Sequence, residues 1–152
     1  MSIQIQPVVL ADSDALISWI LEFNAHEEID TPATRIRPGL QKLLSHPELG
    51  GAYWICRDDG PTRCGYAILT YGFDLEYGGR DAWLTDLYIR PELRAQGSGT
   101  QAFALLEAQA RQAGAGALHL VVRRENLAAQ RAYAKNGMTE NPRLLMIKLL
   151  TL

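Results

Sequence analysis

The residues best suited to chemistry lie in one short stretch, Arg94-Ala95-Gln96-Gly97-Ser98-Gly99-Thr100. Glycines at 97 and 99 let the backbone turn tightly and approach a bulky anion with no Cβ in between. A helical apolar pattern begins at once afterwards, so the stretch opens a helix. The first N–H groups of that helix lack partners and carry the positive end of its dipole. Together these amides make a seat for a pyrophosphate, and Arg94 adds a charge-assisted contact. A helix start that merely needs glycine has the same look, so the stretch alone defines only an anion seat.

Two nucleotide motifs compete for this seat. A P-loop ends in Gly-Lys-Ser/Thr, whereas Thr100 follows Gly99 here with no lysine. The dinucleotide fingerprint fits better, because Gly97-Ser98-Gly99-Thr100-Gln101-Ala102 matches G-x-G-x-x-A and Glu125 lies downstream. Yet a dinucleotide turn follows its strand immediately, and the six residues from Pro91 to Gln96 intervene. About fifty residues remain after the seat, too few for a doubly wound sheet.

The chain has 152 residues, the length of one domain (1–152). A net charge of −2 gives no basic footprint, which argues against nucleic acid as a partner. No apolar run reaches the roughly 20 residues of a membrane span. The start, Met-Ser-Ile-Gln-Ile-Gln, has neither a basic n-region nor an apolar h-segment. The expectation is a cytoplasmic protein with no membrane partner. Cys56 and Cys64 flank a turn-rich hairpin connection and are expected opposite each other as free thiols. His26, His46 and His119 are scattered, so no metal site is expected.

The elements that must position the seat alternate in type. Residues 3–6 alternate apolar and polar, as a half-buried strand does. Asp12 or Ser13 offers an N-cap for a helix with Leu16, Ile17, Ile20 and Phe23 inward. Thr31-Pro32 interrupts helix, and a short one is expected after Pro38 with Leu40, Leu43 and Leu44 inward. Strands follow at about 52–57, 65–73 and 83–90, joined by Asp58-Asp59-Gly60-Pro61 and Tyr77-Gly78-Gly79-Arg80-Asp81 into an antiparallel meander. A helix at about 99–113 ends at Gly114. A strand at 117–123, a helix at 127–136 and a last strand near 144–150 complete the chain. The strand–helix–strand unit 83–123 implies a parallel pair with a right-handed crossover. The fold class is therefore α+β (mixed α/β): one domain with a mixed, mostly antiparallel sheet, a parallel strand pair, and helices packed on the sheet.

These residues together resemble a known family, the GNAT N-acetyltransferases. The resemblance runs through Leu87-Tyr88-Ile89-Arg90-Pro91-Glu92-Leu93-Arg94-Ala95-Gln96-Gly97-Ser98-Gly99, then Leu120-Val121-Val122 and Asn126. It ends on Ala132-Tyr133-Ala134-Lys135-Asn136-Gly137-Met138, similar to the family's Tyr-x-Lys-x-Gly-Phe with Met138 replacing the aromatic. Chain length and the Leu-Thr-Asp-Leu-Tyr-Ile strand look most like the diamine and polyamine acetyltransferase branch.

The resemblance implies acetyl-CoA as cofactor, CoA as product, and transfer of the acetyl group to a primary amine by direct attack in a ternary complex. It implies a parallel strand pair splayed around the cofactor and helices on both faces of the sheet, and it leaves a homodimer open. Backbone groups of Leu87 and Ile89 would hold the pantetheine like an added strand and the amides of Gln96, Gly97, Ser98, Gly99 and Thr100 the pyrophosphate, with Tyr88, Arg94, Ala95, Asn126, Tyr133 and Lys135 completing the cofactor set. Tyr133 stands where the family places a phenol near the thioester sulfur. The family's strand glutamate, which takes the proton of the amine, aligns with Thr85, and the adjacent carboxylate is Asp86. Alternation sends these two to opposite faces. Either Thr85 orders a water leading to another carboxylate, or a bulge turns Asp86 inward.

The acceptor is the less legible half. Glu27, Glu28 and Asp30 lie in the segment that walls the acceptor site in this family, with Asp74 and Glu76 as further candidates. An acidic wall favours a cationic amine, polyamine or amino-acid-like amine; a solvated loop has the same composition. A CoA-binding regulatory module without turnover, and a protein-lysine or N-terminal acetyltransferase, stay open as alternatives.

Overall fold

The computed structural model describes residues 2–58 and 62–150. Two compact units divide the chain, Met1–Val121 and Val122–Leu152.

The first unit is built on a sheet of five strands: β1 (Ile3–Pro7), β2 (Gly50–Arg57), β3 (Arg63–Asp74), β4 (Gly79–Ile89) and β5 (Leu118–His119). They lie in chain order, antiparallel up to β4, and β5 pairs parallel to β4. Three helices accompany them: α1 (Ser13–His26), α2 (Ala33–Ser45) and α3 (Ser98–Gln112).

Alternation along the strands sorts the packing into two layers. Ala52, Trp54, Cys56, Tyr66 and Tyr88 join Leu16, Ile17, Trp19 and Ile20 of α1 and Leu40 of α2 in one buried cluster. The alternate residues Tyr53, Ile55, Ala67 and Leu69 are buried on the other face. There α3, with Ala102, Phe103, Leu106 and Ala110 buried, packs against β1 and β4. Helices therefore cover both faces, as expected.

The strand and helix boundaries hold to within a few residues, with three corrections. Helix α2 begins at Ala33 rather than after Pro38, which it carries inside, with Pro32 as its N-cap. Pro38 costs it one backbone bond, to Thr34. The seven residues 117–123 contain only a two-residue strand. No strand forms at 144–150, where Leu144, Leu145, Met146, Ile147, Leu149 and Leu150 are exposed. A strand needs a ladder partner as well as an apolar run, and none pairs with this segment among the described residues. The turn at Asp59-Gly60-Pro61 lies outside the described residues.

Two register shifts tune the meander. Ile55 pairs with Gly65 but Cys56 with Arg63, which makes Cys64 an extra residue on β3. Arg63 and Cys64 together therefore oppose Cys56. Both are buried free thiols, pushed above the ordinary thiol range chiefly by burial. At Gly65 the strands approach so closely that a Cβ would lie 2.1 Å from the Tyr88 carbonyl oxygen. Gly65→Ala is expected to cost about 3 kcal/mol, because the clash is with backbone and no side chain can yield. A lowered denaturant midpoint at unchanged slope checks it.

The second unit holds α4 (Leu127–Lys135). The Asn126 side chain caps it, accepting from the Ala129 N–H at 3.1 Å.

Candidate functional site

The second register shift creates the chemistry on β4. Ile68 pairs with Asp86 but Leu69 with Leu84, so Thr85 is a bulged residue. Without the bulge, Leu84 and Asp86 would share a face. With it, Leu84 stays beneath the α3 layer and Asp86 turns to the α1 layer. The local bulge that turns Asp86 inward, one of the sequence alternatives for this strand, is present. Thr85 is exposed, its hydroxyl 3.3 Å from the Ile68 carbonyl.

Asp86 is half-buried and accepts a hydrogen bond from the Tyr66 hydroxyl at 2.7 Å. Burial pushes its carboxyl above the usual carboxylate range, and the Tyr66 bond works against that shift. Tyr66 is fully buried, and its phenol is held well above the ordinary range by burial and by Asp86. It therefore stays a donor. A carboxylate whose proton affinity is raised, fixed in direction by one donor, has the properties of a general base.

Aromatic rings extend this site towards the end of β4. Phe23 meets the rings of Tyr66 and Tyr88 edge-on at 6.2 and 6.0 Å. The Tyr88 hydroxyl donates to Glu22 at 3.3 Å, and Arg90 lies 3.6 Å from Glu22 and over the Trp19 ring at 3.7 Å. Sequence reasoning missed Tyr66, Glu22 and Arg90. Their partners lie 20 to 71 residues away, and no local pattern announces them.

The seat at residues 94–100 follows β4. Ala95 and Gly97 both adopt left-handed backbone, φ 61° and 76°. For alanine this costs about 1–2 kcal/mol, a strain no sequence pattern reveals. Gly97 is the N-cap of α3 and brings no side chain to cap it. A Cβ at Gly97 or Gly99 would meet no protein atom within 4 Å. The space that a side chain would fill at Gly97 and Gly99 is thus clear beside a positive helix end, which suits a pyrophosphate. Arg94 is turned back: its Nε donates to the Ile89 carbonyl at 2.8 Å, and its guanidinium lies over Tyr88. Gln96 accepts from the Arg57 guanidinium.

Beside this seat, β4 has an open edge. The Arg90 N–H bonds the Cys64 carbonyl, so Ile89 and Gly65 form a non-hydrogen-bonded pair. The polar groups of Ile89, and of Leu87 two residues earlier, therefore point away from β3. On that side β5 pairs only as far as Trp83. Leu87 is left as a strand-like partner for an amide chain, while the Ile89 carbonyl is already taken by Arg94.

The remaining candidates fall elsewhere. Within the second unit Tyr133 and Lys135 lie in the last turn of α4, and Tyr133 is half-buried. Gly137, at φ 87°, donates to Ala134, and Met138 donates to Tyr133. This pattern is a Schellman cap, so the glycine of Tyr-Ala-Lys-Asn-Gly-Met has a structural reason of its own. Glu27, Glu28 and Asp30 are in the connection between α1 and α2. Asp74 accepts from the Glu76 N–H at the far end of β3. From Asp86 to the Gly79–Asp74 pair is six register steps, about 20 Å, so Asp74 and Glu76 are not part of the Asp86 site. Among the described residues no cluster of His, Cys, Asp and Glu is placed to hold a metal, and no helix is long and apolar enough to cross a membrane.

A mixed sheet whose parallel edge opens beside a glycine-rich helix start suits a ligand that carries both phosphates and amides. The model of the Acetyltransferase (GNAT) family matches residues 14–138, and the chain belongs to that family. Acetyl-CoA is its cofactor. The seat and the open edge of β4 fit the phosphates and amides of that molecule. No curated protein sequence matches the chain significantly. Among solved structures, an integron cassette protein from the mobile metagenome of Cole Harbour Salt Marsh is 26% identical, covering 98% of this chain and 91% of that one, with a TM-score of 0.84. A predicted acetyltransferase from Clostridium acetobutylicum, solved with acetyl-CoA, is 16% identical over 96% of each chain, TM-score 0.80. An aminoglycoside acetyltransferase from an uncultured soil metagenomic sample, in complex with trehalose, is 16% identical over 99% and 97%, TM-score 0.75. The last two share the fold alone.

Proposed function

We propose that the protein transfers the acetyl group of acetyl-CoA to a primary amine, with Asp86 as the base. The observation that carries this reading is the Thr85 bulge, which sets Asp86 on the face of the buried Tyr66. An alkyl ammonium with a pKa near 10.4 is about one part in a few thousand neutral at pH 7, a cost of roughly 4–5 kcal/mol. A carboxylate of raised proton affinity takes that proton better than an ordinary one. When bound, acetyl-CoA supplies an activated acetyl thioester. Gly97, Ser98, Gly99 and Thr100 would hold its phosphates through their amides, and Leu87 its pantetheine. Tyr133 is the donor to the departing sulfur, an assignment that rests on its place in the family motif.

The acceptor we favour is a small cationic amine, in the manner of diamine and polyamine acetyltransferases, supported by the acidic Glu27, Glu28 and Asp30 after α1. Thiol release from acetyl-CoA with a panel of diamines, polyamines, amino acids and peptides tests the reading. Turnover with at least one small amine is expected. Tight acetyl-CoA binding with no turnover on any amine would replace it with the regulatory-module reading. Gly97→Ala, which puts a Cβ into the seat on left-handed backbone, is expected to weaken acetyl-CoA binding about tenfold in calorimetry. Its stability cost is expected to be about 1–2 kcal/mol.

A further inference from the structure

The ladder between β4 and β5 contains just two register pairs, Ala82↔Leu118 and Trp83↔His119. Two backbone bonds precede it, from the Gly116 N–H to the Arg80 carbonyl at 2.8 Å and from the Ala82 N–H to the Ala117 carbonyl at 2.9 Å. So short a pairing specifies its register weakly, and a slip of one residue would turn every β5 side chain to the opposite face. The point where β5 leaves β4 nevertheless fixes the mouth of the open edge described above.

One buried polar pair sits at that point. His119 Nε2 lies 3.2 Å from Asp81 Oδ2, and the Asp81 side chain is only 7% exposed. Asp81 precedes Trp83 by two residues, so it shares the face on which Trp83 pairs with His119. The His119 ring stacks on Trp83 at 4.8 Å and 29°, and meets Tyr77 edge-on at 4.9 Å. Opposite Asp81 on β3 stands Gly72, where a Cβ would lie 2.6 Å from Asp81 Oδ1. The neighbouring cation, Arg80, is turned to the other face, over Tyr71 and onto the Ala113 carbonyl. A buried carboxylate is costly unless a partner meets it. In the paired register His119 Nε2 is the group that meets it, at contact distance without an aligned hydrogen bond, and a one-residue slip would remove it.

We infer that Asp81 and His119 are positioning residues, a register lock that fixes where β5 departs from β4 and so sets the cofactor-binding edge. The inference rests on the reading of that edge as the acetyl-CoA site. Neither residue touches the reacting atoms. The lock acts on affinity for the cofactor, while the chemical step at Asp86 proceeds as before.

Hydrogen exchange and calorimetry on His119→Ala and His119→Gln test it. In His119→Ala the amides of Gly116 and Ala82 are expected to exchange about tenfold faster or more, with those of the β2–β3 ladder unchanged. Acetyl-CoA affinity is expected to fall about tenfold at nearly unchanged kcat, and glutamine, which can reach and donate to Asp81, to recover most of both. Unchanged exchange at Gly116 and Ala82 overturns the lock, as does faster exchange spread evenly over the β2–β3 ladder. Local loosening with full affinity overturns its role at the cofactor edge. Wild type that binds no acetyl-CoA sinks the functional reading instead, and the exchange data then decide the lock alone.

Discussion

Asp86→Asn is expected to lower acetyl transfer about 10²–10⁴-fold, the scale of a lost general base, and to raise the melting temperature at neutral pH. Both effects come from one property. Burial raises the proton affinity of the Asp86 carboxyl, and the hydrogen bond from Tyr66 only partly offsets this. A carboxyl raised in this way supports folding fully below its unfolded value, about 3.9, and loses that support as pH rises through its folded value. Above that value wild type holds a desolvated charge that asparagine does not carry. The stability advantage of the variant should therefore open with rising pH and vanish in acid, which melting curves across that range will show. In activity the sign is opposite, because the base works only when ionised. The acid limb of kcat/KM in wild type should lie above the range of an ordinary aspartate. Tyr66→Phe, which removes the bond that lowers Asp86, should move that limb higher still. Undiminished turnover in Asp86→Asn would take Asp86 out of the proton path.

The parts of this site that were legible in the sequence are those fixed by neighbours in the chain. Gly97 and Gly99 signal a helix start because the geometry they allow is local, and α3 begins at Ser98. The meander was legible for the same reason, since short connections force antiparallel neighbours. What depends on partners across the sheet was not. The Thr85 bulge exists only in the pairing of β4 with Ile68 and Leu69, so the strand read alone left two alternatives for Asp86. Tyr66 reads as an ordinary core residue until the fold brings it within 2.7 Å of Asp86. Asp12 shows the same limit at a helix end. It is the N-cap of α1 by position, yet its carboxylate receives Trp54 Nε1 at 3.1 Å and Arg63 at 3.2 Å and caps no helix amide. Those two partners, Trp54 first, hold its carboxyl below the usual range against the effect of burial. The apolar run at 144–150 carries strand composition with no ladder partner among the described residues, and composition does not name one.

Tyr133→Phe is expected to cost a comparable 10²–10⁴-fold in turnover, with acetyl-CoA affinity nearly unchanged. The argument is chemical. As the amine attacks, the bond to sulfur breaks and a thiolate develops whose conjugate thiol titrates near 8.5, whereas a tyrosine phenol ordinarily titrates near 10. A phenol beside that sulfur loses little by sharing its proton as charge builds, and little charge is there before the reaction begins. The benefit is therefore confined to the transition state, so it belongs to kcat and leaves binding alone. Phenylalanine keeps the ring and the packing of a half-buried position on α4, and the Schellman cap uses the backbone carbonyl of residue 133, which the substitution retains. Loss of activity with an intact melting curve would thus report the hydroxyl itself. A leaving group that is already a good one offers a further test. Acetyl donors built on progressively more acidic thiols should need the phenol less, so the penalty of Tyr133→Phe should shrink along that series. A penalty that stays constant across the donors would place the hydroxyl in substrate orientation and remove it from proton donation.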